Sequence, residues 1–338
     1  MYHLPAEWAP QSAVQLTFPH EDTDWAPVLE TVLPCFVSIA AAIARFESVL
    51  IVCRDQTATA ALFDAVTAQK IIFVEIPSND TWARDHGGIT MLDEQNKPVI
   101  LDFIFNGWGL KFPADKDNLI TGQLHRKGIL PGAYRHGGIV LEGGGIESDG
   151  KGTLLTTTAC MFSPNRNPHL SEQETEDYLK KIFAVERVLW LRNGYLAGDD
   201  TDSHIDTLAR FCDENTIAYV RCDRPDDEHY AALSAMEKEL QQFTTGEGQP
   251  YQLIPLPWPD ACHDEDGHRL PATYANFLII NGAVLVPVYG VKQDEEALNI
   301  IKGIFPDREI IGIDCRVLIE QHGSLHCVTM QYPEGVVL

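Results

Sequence analysis

The chain is poor in positive charge. Its 338 residues include 25 Lys and Arg against 49 Asp and Glu, which gives a net charge of −24. Because phosphate backbones are bound by clustered Lys and Arg, this balance argues against nucleic acid as a partner. An acidic surface keeps a protein soluble and also attracts cationic substrates, and the charge alone favours the first explanation.

The chain also lacks paired cysteines, a secretory signal and a membrane span. Its eight cysteines form no C-x-x-C pair and no zinc-ribbon spacing. Residues 1–5 show no basic segment followed by an apolar run. The longest uncharged apolar stretch, residues 31–44, contains Pro34 and is too short to cross a bilayer. These absences predict a cytoplasmic protein with mostly buried, reduced thiols and no membrane partner.

Strands and helices alternate along the whole sequence. Short β-branched runs predict strands at residues 48–53, 70–76, 98–105, 152–158, 187–191, 217–222, 251–255 and 309–314, with two more between 276 and 287. Helices are predicted at residues 58–69, 225–243 and 294–304, and from Ser171, where Glu174 completes a capping box, to Phe183. Because no linker interrupts this alternation, we expect residues 1–338 to form a single α/β domain.

Polar and Gly-rich clusters interrupt the alternation at regular intervals. They centre near Asp85, Glu142, His204, Asn276 and Cys327, with spacings of 57, 62, 72 and 51 residues. Five loops about 60 residues apart predict a structural repeat that closes on a central axis.

The first two clusters follow predicted strands. Residues 79–88 place Asp80, Arg84, Asp85 and His86 in one loop, which is more charge than a plain turn needs. The alternative is that Arg84 pairs with a carboxylate and braces the loop. Residues 141–150 contain three successive glycines, which indicate close backbone approach, but they do not match the phosphate-binding pattern G-x-x-x-x-G-K-[ST].

Glu142 stands at the end of the strand before those glycines. It is predicted to face the mouth of a pocket, with a simple turn carboxylate as the alternative.

The third cluster, residues 198–207, contains three acids followed by His204-x-Asp206. An EF-hand is excluded because the twelfth position counted from Asp199 is Arg210 rather than Glu. If the segment is a strand, His204 and Asp206 point to the same side and place an acid–base group beside a carboxylate.

The last of the five clusters, residues 323–333, contains Cys327 between His326 and a β-branched run. Its thiol is a candidate activated nucleophile, and a buried structural cysteine is the alternative. The stretch at residues 262–268 resembles a metal site in composition, but an exposed acidic loop explains it better. No metal site is predicted.

Together these clusters resemble those of the agmatine deiminase and bacterial peptidylarginine deiminase-like family, a branch of the guanidine-modifying superfamily. The resemblance covers nearly the whole chain, in family order, at residues 79–88, 141–150, 165–168, 198–206, 272–277 and 323–333. It implies a five-bladed α/β propeller with pseudo-fivefold symmetry (a pentein) and an active site on the axis. It also implies a homodimer that needs no metal or organic cofactor.

The resemblance assigns roles to five residues. The guanidinium-binding aspartate of the family matches Asp85, the glutamate of its LEGG motif matches Glu142, its His-x-Asp pair matches His204 and Asp206, and its nucleophile matches Cys327. Carboxylates bind a guanidinium through bidentate, charge-assisted hydrogen bonds. Asp85 and Asp206 are expected to turn its central carbon toward Cys327, while Glu142 orients His204 or binds a further N–H.

The implied reaction converts agmatine to N-carbamoylputrescine and ammonia. Cys327 forms a covalent thiouronium intermediate, and His204 first protonates the departing ammonia and then activates water. An agmatine preference would place the enzyme in polyamine synthesis, toward putrescine.

The substrate tail is assigned to further residues. Trp82 and Trp108 are expected to flank its aliphatic part, with core packing as the alternative. One of three aspartates is expected to bind the distal ammonium: Asp199, Asp200 or Asp202.

Two positions depart from the family pattern. Gly145 stands where serine is common, and His322 precedes Gly323 where glycine is frequent. These two departures bear on the identity of the substrate tail more than on the deimination reaction. The alternatives are deimination of C-terminal peptidyl arginine, amidino transfer to an amine, and a non-catalytic binding propeller. The five matched site residues and the acidic charge oppose the last of these.

Overall fold

The computed structural model describes residues 2–337. Within that range, sixteen strands form five small sheets. The strands are β1 Gln11–Thr17, β2 Ser48–Cys53, β3 Ile71–Glu75, β4 Ile89–Leu92, β5 Pro98–Ile104, β6 Ala133–Val140, β7 Ile146–Ser148, β8 Thr153–Thr157, β9 Arg187–Leu191, β10 Ala209–Phe211, β11 Thr216–Val220, β12 Gln252–Leu256, β13 Leu278–Ile280, β14 Ala283–Val288, β15 Glu309–Asp314 and β16 Thr329–Pro333.

Eleven α-helices lie in the same range. They are α1 Leu29–Ala44, α2 Gln56–Ala60, α3 Ala65–Ala68, α4 Ala83–His86, α5 Gly107–Leu110, α6 Ile120–Arg126, α7 Thr158–Met161, α8 Glu172–Phe183, α9 Tyr230–Leu240, α10 Asp294–Ile304 and α11 Arg316–Ile319.

Every sheet repeats one pattern. The first strand is antiparallel to the second, and the second is parallel to the third, as in β4-β5-β6, β7-β8-β9, β10-β11-β12 and β13-β14-β15. The crossovers from second to third strand contain α6, α8, α9 and α10. In the remaining sheet β16, β1 and β2 take these three places, α1 lies in the crossover and β3 adds a fourth strand. This repetition confirms the predicted five-bladed α/β propeller.

The five predicted clusters occupy equivalent places in this repeat. Each lies in a connection between the last strand of one blade and the first strand of the next: β3 to β4, β6 to β7, β9 to β10, β12 to β13 and β15 to β16. The first strands of neighbouring blades contact one another, as β7 and β10 do. The spacing of about 60 residues therefore reflects the length of one blade, and the ring brings the five connections together.

The crossover helix α8 forms as its sequence predicts. The side chain of Ser171 accepts the N–H of Glu174 and the Glu174 carboxylate accepts the N–H of Ser171, so the capping box of α8 is present. This helix buries Thr175, Leu179 and Phe183, which are four residues apart and therefore share one face.

Residues Ala26–Ala44 have the length and mean hydropathy, 1.9, that a membrane span needs. In the structure α1 buries Phe36, Ile39 and Ile43 against the sheets, as the core helix of a folded domain does.

Two predicted helices are partly wrong. Residues 58–69 form two helices, α2 and α3, because the Asp64 side chain accepts the N–H groups of Val66 and Thr67 and starts a new helix there. The helix predicted at 225–243 begins only at Tyr230, since Asp227 accepts the N–H of His229 and holds the preceding residues in a turn.

Candidate active site

A narrow pocket opens where the connections between blades meet. Aromatic rings and acids form most of its wall. The lining residues are Asp24, Asp80, Trp82, Asp85, Trp108, Phe112, Asp200, Thr201, Gln321, His322, Gly323 and Cys327. It therefore joins the cysteine of the last cluster to the acids of the first and third.

Cys327 is buried in the pocket and held by Asn276. The Asn276 side chain donates an N–H to Sγ of Cys327 at 3.3 Å, and its carbonyl oxygen accepts the N–H of His326 at 2.8 Å. The Asp206 carboxylate lies 3.9 Å from the same sulfur. Burial raises the pKa of the Cys327 thiol well above its usual value, and the charges of Asp206 and Asp85 raise it further. The thiol is therefore neutral near pH 7.

Asp85 is fixed by two donors. It accepts the indole N–H of Trp108 at 2.8 Å and the backbone N–H of Gly144 at 3.0 Å. Burial and the neighbouring charge of Asp206 raise its pKa well above the usual value. A cation between these two carboxylates would relieve this repulsion, so the arrangement suits a guanidinium.

His204 and Asp206 do not lie on a strand, so the strand geometry considered for this segment does not apply. His204 is followed by a 3-10 turn, Ile205–Thr207, because the Thr201 hydroxyl accepts its backbone N–H at 3.0 Å and bends the chain. Both side chains are nevertheless buried in the site, with Asp206 beside Cys327 and His204 beside Asp85.

The His204 ring lies between two carboxylates. Its Nδ1 is 3.5 Å from Asp85 and its Nε2 is 3.9 Å from Glu142. Burial lowers the pKa of His204 to about 3, so the imidazole is neutral near pH 7. Gly144 makes this approach possible, since an added Cβ would lie 2.6 Å from Nδ1 of His204 and 2.8 Å from the Asp85 carboxylate. The glycine run is thus explained by close packing against the site.

Glu142 is paired with Arg166, to which sequence analysis assigned no role. The guanidinium Nε donates to both Glu142 oxygens, at 2.9 and 3.0 Å, and Nη1 donates to Asp202 at 2.6 Å. Burial still raises the pKa of Glu142, against the attraction of Arg166. Arg166 lies in the segment at residues 165–168 that resembles the family, and this was the sequence signal that could have identified it as a site residue.

Trp82 and Trp108 both line the pocket, with ring centroids 6.5 Å apart in an edge-to-face arrangement. Trp82 donates its indole N–H to Asp80 at 2.9 Å. The backbone of Trp108 has a φ of 55°, in the left-handed region that bulky residues rarely adopt. This strained conformation directs its indole N–H to Asp85, which is typical of backbone strain at functional sites.

The three candidate aspartates for the substrate tail differ in their surroundings. Asp199 accepts hydrogen bonds from Thr201 and Ser203 in its own loop. Asp202 pairs with Arg166 and Lys111. Asp200 lines the pocket, and its carboxylate lies 3.9 Å from Nε2 of His322.

A buried ionic network adjoins Asp206. Nδ1 of His326 lies 2.7 Å from the Asp206 carboxylate and its Nε2 lies 2.7 Å from Glu7. Arg210 donates to Glu7 at 2.8 Å and also pairs with Glu147. We call Glu7, Glu147, Arg210 and His326 the axial ion network.

The pKa values of this network follow from its pairing. Although burial alone would raise the pKa of Glu7, Arg210 and His326 hold it well below the usual value. Burial raises the pKa of Glu147, against the attraction of Arg210. Among these four, Glu147 and His326 lie in clusters noted in the sequence, whereas Glu7 and Arg210 do not. The available signal for Arg210 was a charge between apolar neighbours in a short strand, which requires a buried partner.

Comparison with known proteins agrees with this geometry. Residues 3–333 match the family model of the Porphyromonas-type peptidyl-arginine deiminases. The chain belongs to this family. It is 56% identical to a Porphyromonas gingivalis protein provisionally named an arginine deiminase, whose structure superposes with a TM-score of 0.96 over 100% of both chains.

Two further relatives carry a more specific name. The substrate-bound C315S agmatine deiminase of C. jejuni is 38% identical, with a TM-score of 0.93 over 99% of this chain and 97% of that one. The agmatine deiminase of Pseudomonas syringae pv. syringae is 34% identical over 98% of this chain and 95% of its own length. The chain is accordingly a hydrolase that deiminates a small guanidinium compound, which confirms the predicted family and enzyme class.

Proposed function

We propose that this enzyme converts agmatine to N-carbamoylputrescine and ammonia through a covalent intermediate on Cys327. The observation that carries the substrate choice is the charge of the pocket. Among the described lining residues there are four aspartates, Asp24, Asp80, Asp85 and Asp200, and neither Lys nor Arg. Agmatine is cationic at both ends, whereas arginine and a peptide ending in arginine bring a carboxylate that these aspartates would repel.

The guanidinium binds between Asp85 and Asp206 in this proposal. Both carboxylates are buried, and their charges act on the thiol of Cys327. A cation bound between them would compensate these charges beside the nucleophile. The rings of Trp82 and Trp108 flank the aliphatic part of the substrate and keep water away from the reacting carbon.

The distal ammonium is assigned to Asp200. Of the three candidate aspartates it lines the pocket, while the carboxylates of Asp199 and Asp202 accept hydrogen bonds within the protein. His322 stands beside it with a φ of 67°, in the region where glycine is favoured. Its imidazole therefore narrows the mouth on the side where the ammonium would lie.

The first chemical step is attack by the sulfur of Cys327 on the central carbon. The thiol proton passes to His204, which is neutral and can accept it, and then to the departing nitrogen. The C–N bond breaks, ammonia leaves and an amidino group remains on the sulfur. Glu142 stabilises the protonated His204 during the transfer, since its carboxylate lies 3.9 Å from Nε2.

The second step releases the product. His204 takes a proton from water, and the water oxygen attacks the same carbon. The C–S bond then breaks to give the thiolate and a protonated ureido group, which becomes neutral by releasing its extra proton to solvent. His204 returns its proton to the sulfur, so no oxidant, reductant or further reactant is needed.

The experiment is ammonia release from agmatine, free arginine and a peptide ending in arginine, with Cys327→Ser as the control. We expect release from agmatine alone, and none from the variant. A mass increase on the peptide that contains Cys327, after acid quench during turnover, would support the covalent step. Release from the peptide substrate alone would overturn the substrate, and release by Cys327→Ser would overturn the mechanism.

Cellular context follows from the same proposal. An agmatine deiminase supplies N-carbamoylputrescine, so we propose a place in polyamine synthesis in the cytoplasm. We also propose a homodimer, which sedimentation of the purified protein would test.

A further inference from the structure

A second group of ligand-type side chains lies behind the pocket wall. One ligand atom each from Glu142, Cys160 and His204 lies within 4.8 Å of the other two, and all three residues are buried. We propose that these three side chains bind a divalent cation of borderline softness, Zn²⁺ above all, and that the bound ion inhibits the enzyme. The inhibition rests on the proposed role of His204, whereas the metal binding does not.

The unpartnered nitrogen of His204 points to a ligand. His204 is 1% exposed, and its Nε2 has no hydrogen-bond partner among residues 2–337. Its other nitrogen, Nδ1, faces the Asp85 carboxylate at 3.5 Å. Metal-bound histidines commonly have this arrangement, because a carboxylate at one nitrogen orients the ring and leaves the lone pair of the other free for the metal.

The spacing of the three ligand atoms suits a small ion. If the atoms are at most 4.8 Å apart, some position lies within about 2.8 Å of all three, and an ion could occupy it. Zinc bonds are about 2.3 Å to sulfur and 2.0–2.1 Å to nitrogen, so each ligand needs to move by less than about 1 Å. A thiolate, an imidazole and a carboxylate form a donor set that zinc prefers over calcium or magnesium.

The local charges are compatible with a divalent cation. Glu142 and the Cys160 thiolate supply two negative charges, and the thiol proton leaves to solvent as the metal binds. Arg166 opposes the ion because it donates to Glu142, but its own charge is also compensated by Asp202 at 2.6 Å. Asp85, which lines the pocket, adds a further negative charge beside His204.

Gly145 provides the space for this site. An added Cβ at Gly145 would lie 3.3 Å from the sulfur of Cys160 and 3.8 Å from the ring of His204. A serine at this position would therefore crowd the thiol. The departure noted in the sequence therefore lies directly against two of the proposed ligands.

A similar buried group, Glu7, Glu147 and His326, carries no such inference. Arg210 already pairs with both glutamates, and Nε2 of His326 lies 2.7 Å from Glu7. The histidine nitrogen that a metal would need is therefore already partnered there, unlike Nε2 of His204.

The test uses metal-free Cys327→Ser protein, so that neither turnover nor the nucleophile contributes. Zn²⁺ binding is measured by competition with a chromophoric chelator, and Co²⁺ is added to detect a thiolate-to-metal charge-transfer band. We expect one ion per chain, a charge-transfer band, and at least about tenfold weaker Zn²⁺ binding when Cys160→Ala is added. Cys53→Ala, at another buried thiol, serves as the matched control and should bind Zn²⁺ like the parent.

Enzyme with Cys327 intact tests the inhibition. Zn²⁺ should inhibit wild type and Cys53→Ala, and should inhibit Cys160→Ala at least about tenfold less, while the metal-free rate of Cys160→Ala stays close to wild type. If Cys160→Ala does not fold, as judged by circular dichroism, Cys160→Ser replaces it, since a hydroxyl is a poorer zinc ligand.

Three results would overturn the proposal. They are no Zn²⁺ binding to Cys327→Ser protein, equal binding with and without the Cys160 thiol, and a charge-transfer band that needs Cys327 instead. If Zn²⁺ binds as expected but the metal-free enzyme deiminates none of the guanidines, the proposed substrate fails and the metal site stands.

Discussion

Two buried clusters of charge meet at Asp206, and they differ in how fully their groups are paired. In the axial ion network the contacts of His326 and of Arg210 with Glu7 are 2.7–2.8 Å long. On the pocket side, His204 lies 3.5 Å from Asp85 and 3.9 Å from Glu142, and Cys327 lies 3.9 Å from Asp206. We call Asp85, Glu142, His204, Asp206 and Cys327 the pocket cluster.

The difference shows what each cluster is for. A buried carboxylate with a cationic partner keeps its charge, and the pKa of Glu7 is accordingly lowered. A buried carboxylate beside another carboxylate destabilises the protein, and the pKa of Asp85 is accordingly raised. The axial ion network therefore supports the fold. In the pocket cluster Glu142 and Asp206 are paired with Arg166 and His326, whereas among residues 2–337 no cation pairs with Asp85, and we propose that the substrate supplies one.

The largest expected effect is on catalysis, from Asp85→Asn. Loss of this carboxylate should lower kcat/KM for agmatine by roughly 10⁴-fold, or about 5 kcal/mol, because the guanidinium loses a buried ionic partner. The free energy of unfolding at pH 7.5 should stay the same or rise, since a raised carboxyl pKa means that ionised Asp85 costs stability as pH rises above its usual value.

Steady-state kinetics and urea denaturation measure both quantities for Asp85→Asn. The exposed Asp226→Asn variant is the control and should change neither. A large loss of stability in Asp85→Asn would contradict the assignment of Asp85 to the pocket cluster.

The next effect is on stability, from Arg210→Met. Removing this cation leaves Glu7 and Glu147 buried without it, so the free energy of unfolding should fall by about 3–5 kcal/mol. Urea denaturation measures the loss. Arg192→Met, in the exposed pair with Glu172, should cost less than about 1 kcal/mol. Equal losses of unfolding free energy in the two variants would contradict the conclusion that the axial ion network supports the fold.

A smaller effect on kcat is expected from His326, which contacts both Asp206 and Glu7. We expect it to act as a positioning residue for Asp206. His326→Asn keeps a donor near Nδ1, for Asp206, while His326→Gln keeps one near Nε2, for Glu7. We expect His326→Gln to lower kcat by about 10- to 100-fold, with little change in KM, because Asp206 loses its orientation. His326→Asn should keep much more of kcat than His326→Gln does. It should nevertheless melt at a lower temperature than His326→Gln, which keeps the contact with Glu7.

The kinetics and thermal melting of both His326 variants check this. If both variants lost kcat equally, the contact with Asp206 would not be the one that matters for catalysis.

The smallest effect concerns the thiol. Because burial and the charges of Asp206 and Asp85 raise the pKa of Cys327, its alkylation by iodoacetamide should be slow at pH 7 and accelerate as pH rises. Asp85→Asn removes one of these charges and should speed alkylation about tenfold at the same pH. Mass spectrometry of the Cys327 peptide measures the rate. An unchanged rate would show that Asp85 carries no charge in the free enzyme.

The sequence predicts the pocket cluster better than the axial ion network, for a physical reason. The residues of the pocket cluster lie in polar, Gly-rich connections that a packed core does not need. Glu7 and Arg210 look ordinary in their own segments, and their pairing joins positions 203 residues apart. Ring closure creates that contact, and local sequence carries little trace of it.

Local errors have a common cause as well. The strand considered for the segment through His204 does not form, because Asp199 and Thr201 accept backbone N–H groups and bend the loop. The helix predicted over residues 58–69 is divided because Asp64 caps a new one. In both places hydrogen bonds that backbone N–H groups donate to short polar side chains decide the local structure.

The pairing of β1 with β16 has a consequence for how the molecule folds. Gln15 lies opposite Met330, so this pair of strands joins residues 315 positions apart. Closing so large a loop costs more entropy than closing any of the shorter loops within a single blade. Such non-local contacts form slowly. Since Cys327 directly precedes β16, the nucleophile depends on this closure. On gentle denaturation, activity should therefore disappear before the blades that are local in sequence unfold.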